Sequence, residues 1–404
     1  METTLEILRI ALKGFEWVLV SYFCLSCLYV LIFAIAGHTY KKRAIMTKSK
    51  LNKIAVFMPA YKEDNVIVEV AKNALKQQYP PSFYDVIVIA DSLQKNTLIE
   101  LNDLPIKVVE VAFEKSTKTK ALNAAMDQLK KSYDYALILD ADNVMEPQFL
   151  IKVNDAFNQG HQVVQGHRKA KNLNTSFAML DAASEEINNH IFRKGHSALG
   201  LSSGLIGSGM AFKYGLFKEI MSTIQAVGGF DKELEFELAK RKIHVEYLQD
   251  AVVLDEKIQK ASDFSTQRRR WIATQFVYFR KYYKQGFKEL MQHKNMTFFD
   301  KVVQMILPPR VLLLGFTFLT TILYGTKELI FDMNSQVSAW FWIVNFGMLV
   351  LAFALSFPRS LYTISVLRSV ASLPSAFLRM TLLLFRLKGA NRKFIHTAHG
   401  VVNP

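Results

Sequence analysis

Two stretches of this sequence carry no charged residue over a bilayer's thickness: Trp17 to Gly37 and Val337 to Phe357. A helix needs about 20 apolar residues to cross the hydrocarbon core, so each stretch reads as a transmembrane helix. A third, Ile306 to Tyr324, is apolar except for Arg310, which follows Pro308 and Pro309. An arginine at such a start can snorkel to the interface. The uncharged part of the first stretch is too long for a signal-peptide h-region, and no small-residue cleavage pattern follows it. It therefore reads as a retained helix.

Charge sets the expected orientation. The run HTYKKRAIMTKSKLNK (38–53) is dense in Lys and Arg, and the positive-inside tendency puts the N-terminus outside and residues 38–305 in the cytoplasm. The loop 325–336 has only Lys327, Glu328 and Asp332, which suits the outside, and KGANRK (388–393) returns to the cytoplasmic side. Between Arg359 and Lys388 the chain is apolar but is interrupted by Arg368, Arg379 and Arg386 and broken by Pro374. Those arginines fall near one helical face, which favours amphipathic helices lying on the interface over a fourth span. Cys24 and Cys27 lie inside the first span with no further metal ligand nearby, so they read as packing residues.

The expected organisation is an N-terminal segment (1–14), a first span (15–37), a basic linker (38–53) and a central domain (54–285). Interfacial helices (286–305), spans at 306–324 and 337–357, and interfacial helices with a basic tail (359–404) complete it. The expected location is the plasma or inner membrane, multi-pass, with the central domain cytoplasmic. The 50 basic residues outnumber the 35 acidic ones, a net +15. The surplus concentrates in the membrane-proximal segments 38–53 and 267–301, which speaks for lipid headgroups and phosphorylated ligands and against nucleic acid.

The middle of the chain alternates strands and helices. IAVFMPAY (54–61), YDVIVIADS (84–92), PIKVVEV (105–111) and YALILDAD (135–142) read as strands, with helical patterns at 65–78 and 119–132. This alternation predicts an α/β domain with a mostly parallel sheet. Carboxylates then collect at strand C-termini, where open α/β sheets bind ligands: Glu63 and Asp64, Asp91, and the pair Asp140 and Asp142. Each alone is ordinary turn chemistry. As a group they point to a site, with Asp140 and Asp142 offering hard oxygens for Mg²⁺ or Mn²⁺. Lys118, just before a helix, is a candidate phosphate ligand or a solvated lysine. No G-x-x-x-x-G-K-[ST] and no G-x-G-x-x-G is present, so neither a P-loop nor a dinucleotide site is supported. In QRRRW (267–271), Gln267, Arg270 and Trp271 share a helical face, whereas Arg268 and Arg269 point to solvent or headgroups. Trp can stack on a sugar and Arg can fork onto a phosphate.

PAYKED (59–64), VIVIADS (86–92), KTKALN (118–123), LILDADN (137–143), GSGMAF (207–212) and QRRRW occur in that order. Over about residues 54–275 this succession resembles the membrane-integrated family 2 glycosyltransferases, the group of cellulose, chitin and hyaluronan synthases. The resemblance implies a GT-A (Rossmann-like) cytoplasmic domain flanked by transmembrane and interfacial helices. It implies that Asp91, Asp140 and Asp142 hold a UDP-sugar and its metal, that Pro59, Tyr61 and Glu63 surround the base, and that Lys118 is the family's donor-site lysine. It also implies that Gln267, Arg270 and Trp271 hold the acceptor end and the diphosphate. The family's general base closes a Thr-Glu-Asp triplet; in GGFDKELEFELAKRK (228–242) the matching position is Asp231, with Gly229–Phe230 in place of Thr–Glu and Glu233 in reserve. The residue reading of Asp231 alone is a helix N-cap.

Three functions follow in order. The first is a processive, inverting β-glycosyltransferase that builds a polysaccharide and feeds it across the membrane; three spans are few for a pore, so interfacial helices or a second copy would contribute. The second is transfer of one sugar to a polyprenyl-phosphate or glycolipid acceptor. The third is a non-catalytic nucleotide-sugar-binding subunit, which the joint presence of Asp140, Asp142, Asp231, Gln267, Arg270 and Trp271 argues against.

Overall fold

A computed structural model describes residues 2–42, 49–259, 261–330, 337–387, 389 and 400. Parts of the basic linker, of the 325–336 loop and most of the basic tail lie outside the described residues. The helices are α1 (Glu2–Ala36), α2 (Ile67–Ala74), α3 (Lys95–Asn102), α4 (Lys118–Gln128), α5 (Phe149–Asn158), α6 (Ser176–Asn188), α7 (His196–Ala198), α8 (Tyr214–Thr223) and α9 (Phe230–Lys240). They continue as α10 (Ala261–His293), α11 (Met296–Ile306), α12 (Arg310–Leu329), α13 (Ala339–Ser356), α14 (Ile364–Ser369) and α15 (Leu373–Leu384), and a π-helical turn (Asn189–Gly195) joins α6 to α7. The strands are β1 (Ile54–Tyr61), β2 (Tyr84–Asp91), β3 (Lys107–Val111), β4 (Tyr135–Ile138), β5 (Val144–Met145), β6 (Val163–Ala170), β7 (Met210–Lys213) and β8 (Val245–Asp255).

One eight-stranded sheet runs in the order β3-β2-β1-β4-β7-β6-β8-β5. Its first half is parallel, and β7 enters antiparallel between β4 and β6. Strand β1 is buried on both faces, as its near-continuous apolar run requires. One face packs on α2 and α5 through Ile67, Val70, Phe149 and Val153. The other packs on α4, α8 and α9 through Leu122, Phe217, Leu234 and Leu238.

Pro59 sits in the middle of this sheet, and register explains how. The carbonyl of Phe57 accepts from Leu139 N at 2.9 Å, so odd-numbered residues of β1 turn their backbone toward β4. Pairing with β4 ends at Phe57–Ile138, while pairing with β2 continues to Tyr61–Asp91. The proline therefore lacks its N–H where no ladder partner is due. The two strand ends part there, and a notch opens between Tyr61 and Asp140.

The flanking helices differ in detail from the sequence reading. Helix α1 is continuous from Glu2, so the N-terminal segment and first span are one element; α10 likewise runs past residue 285 without a break. Among the described residues, three helical stretches are long and apolar enough to cross a membrane: Ile10–Thr39, Ala339–Ser356 and Ile364–Leu384. The span expected at 306–324 qualifies only as part of the pair α11–α12, which bends by 60° across Leu307–Pro309. A proline pair removes two backbone donors and restricts the residue before it, which ends α11. Pro374 does not break a helix but starts α15 at its first turn.

The apolar helices are fastened to the sheet domain. Cys27, Val30 and Phe33 of α1 pack with Ile191, Leu313 and Leu349. Phe264 and Ile272 of α10 pack with Leu312, Ala376 and Met380 of α12 and α15. At Gly195 a Cβ would stand 2.2 Å from the Phe33 carbonyl oxygen, so only glycine lets the π-helical turn approach α1 this closely. Helix α14 packs on α6, and the end of α15 is held by Arg269, whose Nε donates to the Arg386 carbonyl at 2.5 Å.

Candidate active site

The notch at the strand ends widens into a cavity of about 1200 Å³ that runs from β1 to the apolar helices. Pro59, Tyr61, Glu63, Asp91, Lys118, Asp140, Asp142, Asp231, Gln267, Arg270 and Trp271 all line it. Glu233 does not. Its side chain, on the far side of α9, pairs with Lys281, which withdraws the reserve candidate for the base from the site. Asp64 is also a turn residue: its carboxylate accepts from Gln94 N and Thr97 Oγ1, each at 2.7 Å, and so caps α3 from outside.

The D-x-D pair is braced from behind. Asp140 N donates to Ser208 Oγ at 2.9 Å, Ser208 Oγ donates to Asn143 Oδ1 at 2.5 Å, and Asn143 Nδ2 donates to Asp255 Oδ1 at 2.9 Å. Gln165 Nε2 donates to the Ser208 carbonyl at 2.9 Å, holding the Gly-Ser-Gly turn in place. Lys118 Nζ pairs with Asp140 and donates to the Gly207 carbonyl at 2.7 Å. Thus GSGMAF contributes a hydroxyl that orients the Asp140 loop. The motif was legible in the sequence, but the task of Ser208 was not.

Asp231 is the second residue of α9, and the cap reading fails because Gly229, at φ 71°, occupies the N-cap. A Cβ at Gly229 would meet Thr274 Cγ2 at 2.5 Å, so this glycine seats the start of α9 directly on α10. Burial raises the Asp231 pKa, and Glu235 adds to the effect against the opposing Lys232 and Lys118. Across from it Arg270 is also desolvated, which lowers its pKa, although the fields of Asp231 and Asp140 oppose that. The two groups and Asp140 therefore share one electrostatic neighbourhood. The Oε1 of Gln267, one turn away, is buried without a hydrogen-bond partner among the described residues. Such a group normally awaits a ligand or water.

Arg268 overturns its expectation. It is buried, its guanidinium lies 4.3 Å from the Trp271 ring centroid, and Nη2 pairs with Asp181 of α6. The solvent-facing assignment followed from helix geometry alone, but α6 covers that face. A buried ion network continues beneath: Arg168 Nη2 to Glu185 at 2.9 Å, and Lys257 Nζ to Asp255 at 2.7 Å. Although burial alone would raise Glu185 and Asp255, the surrounding Arg168 and Lys257 hold both below the usual carboxylate range. Apart from Asp255 and Lys257, these partners are distant in sequence, which is why no motif announced them.

As a metal site, the donor chemistry fits a hard divalent cation. Asp140 and Asp142 present only carboxylate oxygens to the cavity, and among the described residues no group of three or more His, Cys, Asp or Glu could cage an ion alone. That is the donor set of a cation completed by phosphate and water oxygens.

Comparison with known proteins agrees with this architecture. The family model described as glycosyltransferase like family 2 matches residues 52–274. A mannosyltransferase from Pyrobaculum calidifontis, solved with GDP-Man and Mn²⁺, superposes with a TM-score of 0.54 at 12% identity, covering 90% of this chain and 96% of that one. Glucosyl-3-phosphoglycerate synthase from Mycobacterium tuberculosis, solved with Mn²⁺, UDP and glucosyl-3-phosphoglycerate, aligns with a TM-score of 0.40 at 16% identity over 58% of this chain and 86% of that one. No curated protein matches the sequence significantly. A mixed sheet in the GT-A arrangement, with a family match over more than half the chain, leads to one conclusion: the chain belongs to the family 2 glycosyltransferases.

Proposed function

We propose that this chain transfers a sugar, with inversion, from a nucleoside diphosphate donor to an acceptor hydroxyl at the membrane surface. One observation carries the reading: a single cavity joins the D-x-D pair, Asp231 and the Gln267–Trp271 face. Asp231 accepts the proton of the acceptor hydroxyl as its oxygen bonds to the anomeric carbon and the bond from that carbon to the diphosphate breaks. The raised pKa of Asp231 makes it a stronger base than a solvated carboxylate. Donor and base on opposite sides of the sugar make the displacement single, so an α-linked donor yields a β-glycoside. Asp140 and Asp142 would hold Mg²⁺ or Mn²⁺, which when bound neutralises charge on the departing diphosphate. Arg270 supplies fixed positive charge on the same wall, and Trp271 an apolar face for a sugar ring. The UDP preference, with Pro59, Tyr61, Glu63 and Asp91 around the base and Lys118 on the donor side, rests on the motif resemblance.

The catalytic domain is proposed to lie in the cytoplasm of a multi-pass membrane protein. Both ends of 364–386 are tied to the sheet domain, α14 to α6 and Arg386 to Arg269, which favours an interfacial hairpin for this stretch over a span. Repeated addition to a growing polysaccharide is a second reading, favoured by Gln267 and Trp271 on the membrane-side wall. Because α1, α12 and α13 pack closely on one another, a polymer passage would draw on a second copy.

The purified protein, given a panel of UDP- and GDP-sugars with Mn²⁺ or Mg²⁺, is expected to release nucleoside diphosphate with one of them. Chelation with EDTA is expected to stop it. Product lengthening over time supports repeated addition, and a product arrested at one sugar excludes it. Absence of nucleotide release with every donor and acceptor would sink the transferase reading.

A further inference from the structure

Asp231 does not stand alone at the start of α9. Lys232 lines the same cavity, and its Nζ donates to Glu235 Oε1, one turn further on, at 2.6 Å. Glu235 is buried behind the cavity wall. Its second oxygen lies 3.1 Å from Nζ of Lys301, a fully buried lysine of α11. One carboxylate thus stands between two ammonium groups, and positive charge is left in excess next to Asp231.

The same groups hold the segment 203–207, of which Gly204, Leu205 and Gly207 line the cavity. Lys301 Nζ donates to the Ser203 carbonyl at 3.2 Å, and Glu235 Oε1 accepts from Leu205 N at 2.8 Å. Helix α11 is fixed from its other side as well: Asp300 accepts from the Tyr29 hydroxyl of α1 at 2.6 Å and pairs with His196 at 3.3 Å. Packing does not call for the charges on Glu235 and Lys301, because apolar residues of similar volume often hold buried helices together equally well. What apolar residues could not do is act on Asp231 from a distance. In a desolvated wall a charge is felt further than it is in water.

The groups that face Asp231 come from three helices. Lys232 and Glu235 belong to its own helix, Lys118 to α4, and Arg270 and Tyr278 to α10. Lys118 is answered by Asp140, Arg270 faces Asp140 as well as Asp231, and Tyr278 is kept neutral by burial. Arg193, close to Lys232, is engaged by Glu185. That leaves Glu235, whose negative charge works against ionisation of Asp231. Burial would raise the Glu235 pKa, but Lys232 and Lys301 hold it below the usual carboxylate range.

We propose that Lys301 controls the protonation of Asp231 through Glu235 and Lys232, and so acts as a positioning residue for transfer without touching the substrate. Without Lys301 the charge of Glu235 is only half answered, and Asp231 keeps its proton to higher pH. Without Glu235 the two ammonium groups act unopposed, and Asp231 loses its proton at lower pH. The bearing of this on rate rests on the transferase reading above; the control of Asp231 does not.

The test uses the full-length protein in phosphatidylcholine nanodiscs and two readouts. One is the acidic limb of kcat/KM against pH. The other is independent of turnover: modification of Asp231 by a water-soluble carbodiimide and glycine methyl ester, which requires the protonated carboxyl and is read by peptide mass spectrometry. Lys301→Met is expected to move both midpoints upward by about half a pH unit or more, and Glu235→Gln to move both downward by about as much. Lys301→Arg keeps the charge, and the double variant Lys301→Met, Glu235→Gln keeps the net charge, so both are expected to stay near the parent. A lysine that merely packs α11 on α9 would lower activity without displacing the midpoints in opposite directions. Midpoints that stay put in both single variants, or move the same way, would overturn the proposal. If one single variant fails to fold, the other compared with the double variant still decides, since only the double should return to the parent midpoint. Displaced modification in a protein that releases no nucleotide with any donor would remove the transferase reading and uphold the control of Asp231.

Discussion

At the scale of the residue, Asp231 carries the sharpest expectation. Replacing a general base costs about 10²–10⁴-fold in rate, so Asp231→Asn is expected to lower kcat by that range with a smaller change in the donor KM. Glu233→Gln, outside the cavity and paired with Lys281, is expected to change kcat by less than a few-fold. The proposed base Asp231 must be ionised to act, and burial lifts its pKa, so kcat/KM should rise with pH along a limb lying above the ordinary carboxylate range. A limb at the ordinary position would show that solvent reaches Asp231 freely. The acidic positions at the strand ends were legible in the sequence because each closes an apolar run. What the sequence could not tell apart was which of them face the cavity and which cap a helix. Asp64 and Asp91 look alike in one dimension, yet only Asp91 lines the cavity, and Asp64 is committed to Gln94 and Thr97.

Among elements, the strands were the most readable, since β1, β2 and β4 are buried on both faces and therefore written as unbroken apolar runs. Helix α6 and the π-helical turn after it were not. They mix small apolar residues with Asp181, Glu185 and Glu186, whose partners Arg268, Arg168 and His167 are distant in sequence. Glu185 is 6% exposed and holds Arg168, Arg193 and Lys257. Removing one member of such a network strands the others, so Glu185→Gln is expected to destabilise by about 3–5 kcal/mol in thermal or denaturant unfolding. Gly195→Ala should act elsewhere. Its methyl would be driven into the Phe33 carbonyl, and the expected result is a protein whose sheet domain survives while α1 becomes accessible to protease.

For the whole molecule, length and composition alone located the apolar helices but misjudged how they end. Proline pairs and short turns decide that, and their consequences depend on what the helices pack against. The proposed arrangement places the sheet domain, Arg359 and the end of α15 on one side of the bilayer, with residues after α12 on the other. In sealed vesicles of a Cys24→Ser, Cys27→Ser background, an impermeant thiol reagent should label Lys95→Cys and Arg386→Cys together, and Lys327→Cys only from the opposite face. Labelling of Arg386→Cys with Lys327→Cys instead would make 364–384 a true span.

The bend at Leu307–Pro309 has a mechanical corollary. Through Ser184, Asp181 and Arg268 it is coupled to the helix that bears Gln267 and Trp271, so the tilt of α12 cannot change without stressing the catalytic wall. Tilt is how a membrane helix answers hydrophobic mismatch. Turnover in reconstituted bilayers should accordingly pass through an optimum as acyl-chain length is varied, a dependence that a soluble enzyme merely resting on the surface would not display.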